Sequence, residues 1–167
     1  MRKVLLTSMV LFFAGATFWM GGCAKSESAG IGKEFSAELT TLDGEPFSIP
    51  KDTKGKVVVV DFWASWCSPC RTQIPHMKEL HEKYKDKGVV IVGISLDTDK
   101  NALKKFITDR KMDWVQTYSG KRWNDPTSQK YGISGIPSVW VIGKDGKVIS
   151  TDAVTNTSKI IDKALKD

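Results

Sequence analysis

Two cysteines stand two residues apart in "WCSPC", Cys67 and Cys70, with an acid, Asp61, six positions upstream of the first and two histidines, His76 and His81, a little downstream. Thiols in that spacing can ligate a metal, lock a loop or exchange electrons. A tetrahedral zinc site needs four ligands. The chain has only three cysteines and two histidines, and both histidines fall on the segment that follows Cys70 as a single predicted helix. One short helix cannot readily wrap all four donors around an ion. As a structural staple the pair is poor too, because closing so short a loop removes little entropy from the unfolded chain. Redox chemistry is what the spacing favours.

The flanking elements strengthen that reading. "VVVVDFW", Val57 to Trp63, is an apolar run of strand length that reads as buried on both faces. Behind it, Cys70, Ile74, Met77, Leu80 and Tyr84 recur at helical spacing, which predicts a helix to about Asp86 carrying Pro75. Cys67 is thereby placed at a strand end and Cys70 in a helix's first turn. Unpaired backbone N–H groups and the helix dipole then face the first sulfur and stabilise its thiolate. Val89 to Leu96 reads as a second buried strand. Asp99 to Lys111 reads as a helix with Asp99 as N-cap and Ala102, Leu103, Phe106 and Ile107 on one face. "FSAELTTLDGEPFSI" suggests a hairpin around Asp43-Gly44, and a second hairpin joins Val139–Ile142 to Lys147–Thr151 across "GKDG". Ile160, Ile161, Ala164 and Leu165 mark a closing helix. Strands alternating with helices argue for an α/β sheet covered on both faces.

The first 22 residues have another character. Arg2 and Lys3 precede an apolar stretch from Val4 to Met20 and small residues before Cys23, the layout of an export signal. "MGGC" is similar to a bacterial lipoprotein processing site, in which Cys23 would carry the lipid; Met20 is a less usual residue at the first position of that box. An uncleaved membrane anchor is the alternative, since Val4 to Gly22 is about long enough to span a bilayer. On the lipoprotein reading, residues 1–22 are a leader, 23–34 a flexible tether and 35–167 the folded domain. The expected location is the cell envelope, on a periplasm-facing membrane. Loss of the leader leaves 23 basic against 19 acidic residues, a net +4. Lysines interspersed with acids describe a solvated surface rather than a nucleic-acid footprint.

"VDFWASWCSPCRTQIP" and, far downstream, "KYGISGIPSVWVIGKDGKV" resemble the active-site strand and the cis-proline loop of the thioredoxin superfamily, in the family's order. The longer segment between "GISLD" and "KYGISGIP", the N-terminal hairpin and the export signal are similar to membrane-tethered thiol-disulfide oxidoreductases of the cytochrome c maturation type. The resemblance implies a thioredoxin-like fold: a central mixed sheet, helices on both faces, an N-terminal hairpin and a helix-containing insertion before the cis-proline loop. It implies an enzyme with a Cys67–Cys70 redox disulfide, no cofactor and no metal. Cys67 would be the exposed nucleophile and Cys70 the resolving thiol. Pro137 matches the cis-proline, presenting the Ile136 backbone to an extended substrate. Trp66 would belong to the docking surface; ordinary packing is its alternative. The implied partners are protein disulfides, apocytochrome c being a common client of the family, and a membrane thiol-relay electron donor. Ser68-Pro69 and Ile136 resemble the reducing members.

Asp61 interrupts "VVVV" and "FW", so a carboxyl sits in a strand expected to be buried, where its pKa should rise. That would suit a proton acceptor for Cys70, and the residue matches thioredoxin's buried aspartate in its spacing from the first cysteine. A strand-edge acid facing water is the alternative. Thioredoxin's lysine partner for this acid is replaced here by Gly93. Two other activities share the fold. A peroxidase of the peroxiredoxin type needs a threonine or serine three residues before its cysteine and a proline seven before it, where this chain has Ala64 and Val60. A copper-delivery protein would need cysteines three apart and a distant histidine, and no histidine follows His81.

Overall fold

The structure, a computed structural model, describes residues 30–167. The leader, the lipidation candidate Cys23 and most of the tether lie outside the described residues. Among the described residues, no helix is long and apolar enough to cross a membrane.

An antiparallel hairpin comes first, β1 (Ala37–Thr40) and β2 (Pro46–Ile49), with Gly44 at φ +99° in its turn. Then follow β3 (Val57–Trp63), α1 (Ser68–Tyr84), β4 (Val89–Ser95), α2 (Lys100–Arg110) and β5 (Val115–Tyr118). The chain ends with α3 (Pro126–Lys130), β6 (Ser138–Ile142), β7 (Val148–Ser150) and α4 (Thr157–Ala164). The sheet order is β5-β4-β3-β6-β7, with β3, β4 and β5 parallel and β6 and β7 antiparallel to their neighbours.

Why β3 is apolar without alternation is plain from its two faces. Val57, Val59 and Trp63 join a core with α1, α2 and α4, whereas Val58, Val60 and Phe62 join a second core with Phe35 and Ile49 from the hairpin segment, Tyr131 and Trp140. Three helices thus cover one face, and the hairpin with the short α3 covers the other. The hairpin also shields the sheet's edge: Thr41 bridges Thr117, and Leu42 N–H donates to the Gln116 carbonyl at 2.8 Å.

All five periodic residues of α1 are buried, and the helix stops at Tyr84, two residues short of Asp86. Asp99 caps α2, its carboxylate accepting from the N–H groups of Asn101 and Ala102. The buried face of α2 is narrower than its spacing suggests: Leu103 and Ile107 are buried and Phe106 half-buried against Trp63, but Ala102 faces solvent. A side chain of one carbon gains little from burial, so the larger residues set the helix's rotation. At the pole opposite the cysteines, Gly32 N–H bonds the Val148 carbonyl and Phe35 N–H the Gly146 carbonyl, both against the β6–β7 turn.

Candidate active site

Cys67 is the N-cap of α1 and is disulfide-bonded to Cys70, with their Cα atoms 5.3 Å apart. Of the helix's first backbone positions, Pro69 has no N–H to offer. The Cys70 N–H is free to turn back, and it donates to Cys67 Sγ at 3.2 Å. A positive partial charge and a directed donor therefore converge on the sulfur that must carry negative charge in exchange. The Ile136 carbonyl oxygen lies 3.8 Å from the same sulfur, within reach of a thiol S–H once the bond is reduced. Ile136-Pro137 is a cis peptide, as the motif implied.

One expectation needs correction. Cys67 was expected to be exposed, yet in the disulfide state it keeps only 6% exposure, against 4% for Cys70. The cause is the β6 approach loop, which lays Ile136 over the sulfur from 69 residues away. Trp66, by contrast, is 45% exposed.

Asp61 is 7% exposed, on the face of β3 that α1 covers, and its Oδ1 has no hydrogen-bond partner. It does not sit at a solvent-facing edge. Burial pushes its carboxyl up to about 7 from the ordinary 3.8, because no opposite charge offsets the loss of water. The register explains the missing countercharge. Asp61 pairs with Gly93, and Gly93 with Gln116, in one row across three strands. Trp63 Nε1 donates to Gln116 Oε1 at 3.1 Å, directly over Gly93: a Cβ there would stand 2.3 Å from Gln116 Oε1 and 2.9 Å from Trp63 Nε1. The space a lysine side chain would need is filled by a neutral amide and an indole. Gln116 Nε2 is itself buried without a partner.

A second acid that sequence reasoning missed holds the loop between β3 and α1. Buried Asp97, the last residue of "GISLD", accepts from Ser65 N–H at 2.9 Å and Ser65 Oγ at 2.6 Å, and from Ser95 Oγ at 2.8 Å. Trp66 and Cys67 follow directly, so this carboxylate fixes where they emerge. An acid right after an apolar strand, close to a serine-bearing loop, was the available signal. His76 and His81 stay apart from the cysteines chemically, His81 lying against Trp114; among the described residues no three potential metal donors cluster.

A buried disulfide at a helix N-terminus beside the Ile136 carbonyl of a cis-proline peptide, with an unpaired buried acid on the strand leading to it, is equipped for thiol-disulfide exchange. The Redoxin family model matches residues 9–165. The chain belongs to the Redoxin family. Within it, the chain is 34% identical over 167 residues to the thiol-disulfide oxidoreductase ResA of Bacillus thuringiensis, covering 98% of this chain and 93% of the relative. Among solved structures, the C-terminal domain of a protein assigned as a thiol-disulfide oxidoreductase of Bacteroides thetaiotaomicron matches with a TM-score of 0.77 and 28% identity. That match covers 83% of this chain and 98% of the other. A Chlorobium tepidum protein assigned as the thiol:disulfide interchange protein DsbE matches with a TM-score of 0.74 and 30% identity, covering 83% and 99%. This Redoxin member is a thiol-disulfide oxidoreductase with a thioredoxin-like fold of the cytochrome c maturation type.

Proposed function

We propose that the protein works outside the cytoplasm, attached to a membrane through its N-terminus, and reduces disulfides of protein substrates with the Cys67–Cys70 dithiol. The observation that carries the site assignment is the directed Cys70 N–H on Cys67 Sγ together with the unpaired Asp61 carboxyl. In the reduced protein, the Cys67 thiolate attacks one sulfur of the substrate disulfide. A mixed disulfide forms and the first substrate thiolate leaves to take up a proton. Asp61, as carboxylate, accepts the Cys70 proton, and the Cys70 thiolate attacks Cys67 Sγ. The second substrate thiolate departs, and two electrons have passed to the substrate. The Cys67–Cys70 disulfide must then be reduced by an external dithiol, which in an oxidising compartment points to a membrane thiol relay drawing on the cytoplasm. During attack, the Ile136 backbone would pair with the extended substrate chain and Trp66 would contact its apolar side chains.

The leader-like residues 1–22 and "MGGC" support attachment through a lipid on Cys23, which radiolabelled fatty acid incorporation checks. Apocytochrome c is the client class that membership of this group favours. The direction of electron flow is tested by the reduction potential of the pair. A value near about −270 mV supports reduction, and one near about −120 mV reverses the reaction to disulfide formation. A Cys70→Ser variant should accumulate mixed disulfides through Cys67, and their absence from cells would refute the nucleophile assignment.

A further inference from the structure

Beside Cys67, Trp66 meets two residues that the exchange steps leave unused. Arg122 and Trp123 come from a single 3-10 turn, Arg122–Asn124, between β5 and α3. The Arg122 guanidinium lies 5.0 Å from the centre of the exposed Trp66 ring, and Trp123 meets that ring edge-on at 6.4 Å. The turn is held from behind. Gln129 Nε2 donates to the Trp123 carbonyl at 2.6 Å, Asp125 N–H to the Arg122 carbonyl at 3.0 Å, and buried Asp125 caps α3 through Ser128 N–H at 2.8 Å. Arg122 sits at φ +52°, a left-handed conformation uncommon for a residue with a side chain and concentrated at ligand clamps.

The charge around this platform is one-sided. Arg122 joins no ion pair among the described residues, and its exposed chain neighbour Lys121 is also a cation. Asp125, the acid that closes the same turn, is occupied by the α3 cap. A guanidinium laid on an aromatic face still has its N–H edge free, and that edge matches a carboxylate. We propose that Arg122, seated on Trp66, is a specificity-determining residue that selects polypeptide disulfides carrying an acidic side chain next to the cystine. This rests on the reductase reading of the same site and names its substrate class.

The test uses the full-length reduced protein in detergent and three synthetic peptides, each closed by one disulfide and identical except for Glu, Gln or Lys beside a cysteine. The Glu peptide should be reduced roughly tenfold faster in kcat/KM than the Lys peptide, with the Gln peptide between them and the ratio shrinking at high salt. Arg122→Gly, which suits the positive φ and so preserves the turn, should bring the ratio near one. Arg122→Lys should keep only part of it, since the planar fork is lost. Equal rates in the parent, or a ratio unchanged in Arg122→Gly, would overturn the inference and leave the reductase intact. Failure to reduce even the Gln peptide would overturn both.

Discussion

Asp61→Asn isolates the energetic cost of a buried acid. In the fold its carboxyl holds a proton until about pH 7, while in the unfolded chain it releases it near 3.8. Its contribution to stability is therefore full below about pH 3.8 and is lost as pH rises through 7, because only the unfolded state can ionise freely in between. Linkage over that interval gives a loss of roughly 2 kcal/mol at pH 5 and roughly 4 kcal/mol at pH 8. Asparagine fills nearly the same volume and does not titrate. Urea denaturation of the oxidised parent and variant, with the cysteines locked out of the titration, reads the difference directly. Relative to the variant, the parent should weaken by roughly 2–3 kcal/mol between pH 5 and pH 8. Parallel behaviour of the two proteins would mean that Asp61 ionises normally, and the proton-acceptor role built on its burial would go with it.

In stopped-flow exchange, the parent's resolution step should accelerate as pH rises through about 7, where the carboxylate becomes available, and Asp61→Asn should lack that inflection. Asp97→Ala removes two hydrogen bonds to the β3–α1 loop and a third to Ser95 of β4; a loss of about 2–4 kcal/mol in denaturation and slower attack by Cys67 are expected. Unchanged exchange kinetics would show that the loop is held by packing alone. Gly93→Ala should cost about 1–3 kcal/mol by thermal melting, since its Cβ would collide with Gln116 Oε1. Combining it with Gln116→Ala should restore part of that loss, and a purely additive double variant would refute the collision.

What could be read from the sequence was what short-range periodicity encodes. The α1 face, the doubly buried β3 and the Asp99 cap each depend on residues within one or two turns of one another. β5 and α3 escaped that reading: Val115–Tyr118 and Pro126–Lys130 are short and partly polar, and β5 is specified by pairing with β4 rather than by its own pattern. The same limit explains the site. Cys67, Cys70 and Pro137 announce themselves by motif, but the shielding of Cys67 comes from Ile136, and the uncompensated state of Asp61 from a bond between Trp63 and Gln116, 53 residues apart. Polar residues that act by occupying one particular space look, in sequence, like any other surface glutamine or aspartate.

The way the chain joins its own domain governs who can reach the sulfurs. Gly32 and Phe35 are stitched to the turn after β6, at the foot of the sheet, whereas the cysteines crown its other end. β3 separates the two poles by seven residues, about 23 Å of extended chain. The reactive face therefore points away from the place where the described chain enters the domain, like a lamp on a stalk. A disulfide or dithiol that reacts with the pair can reach it without passing the entering chain.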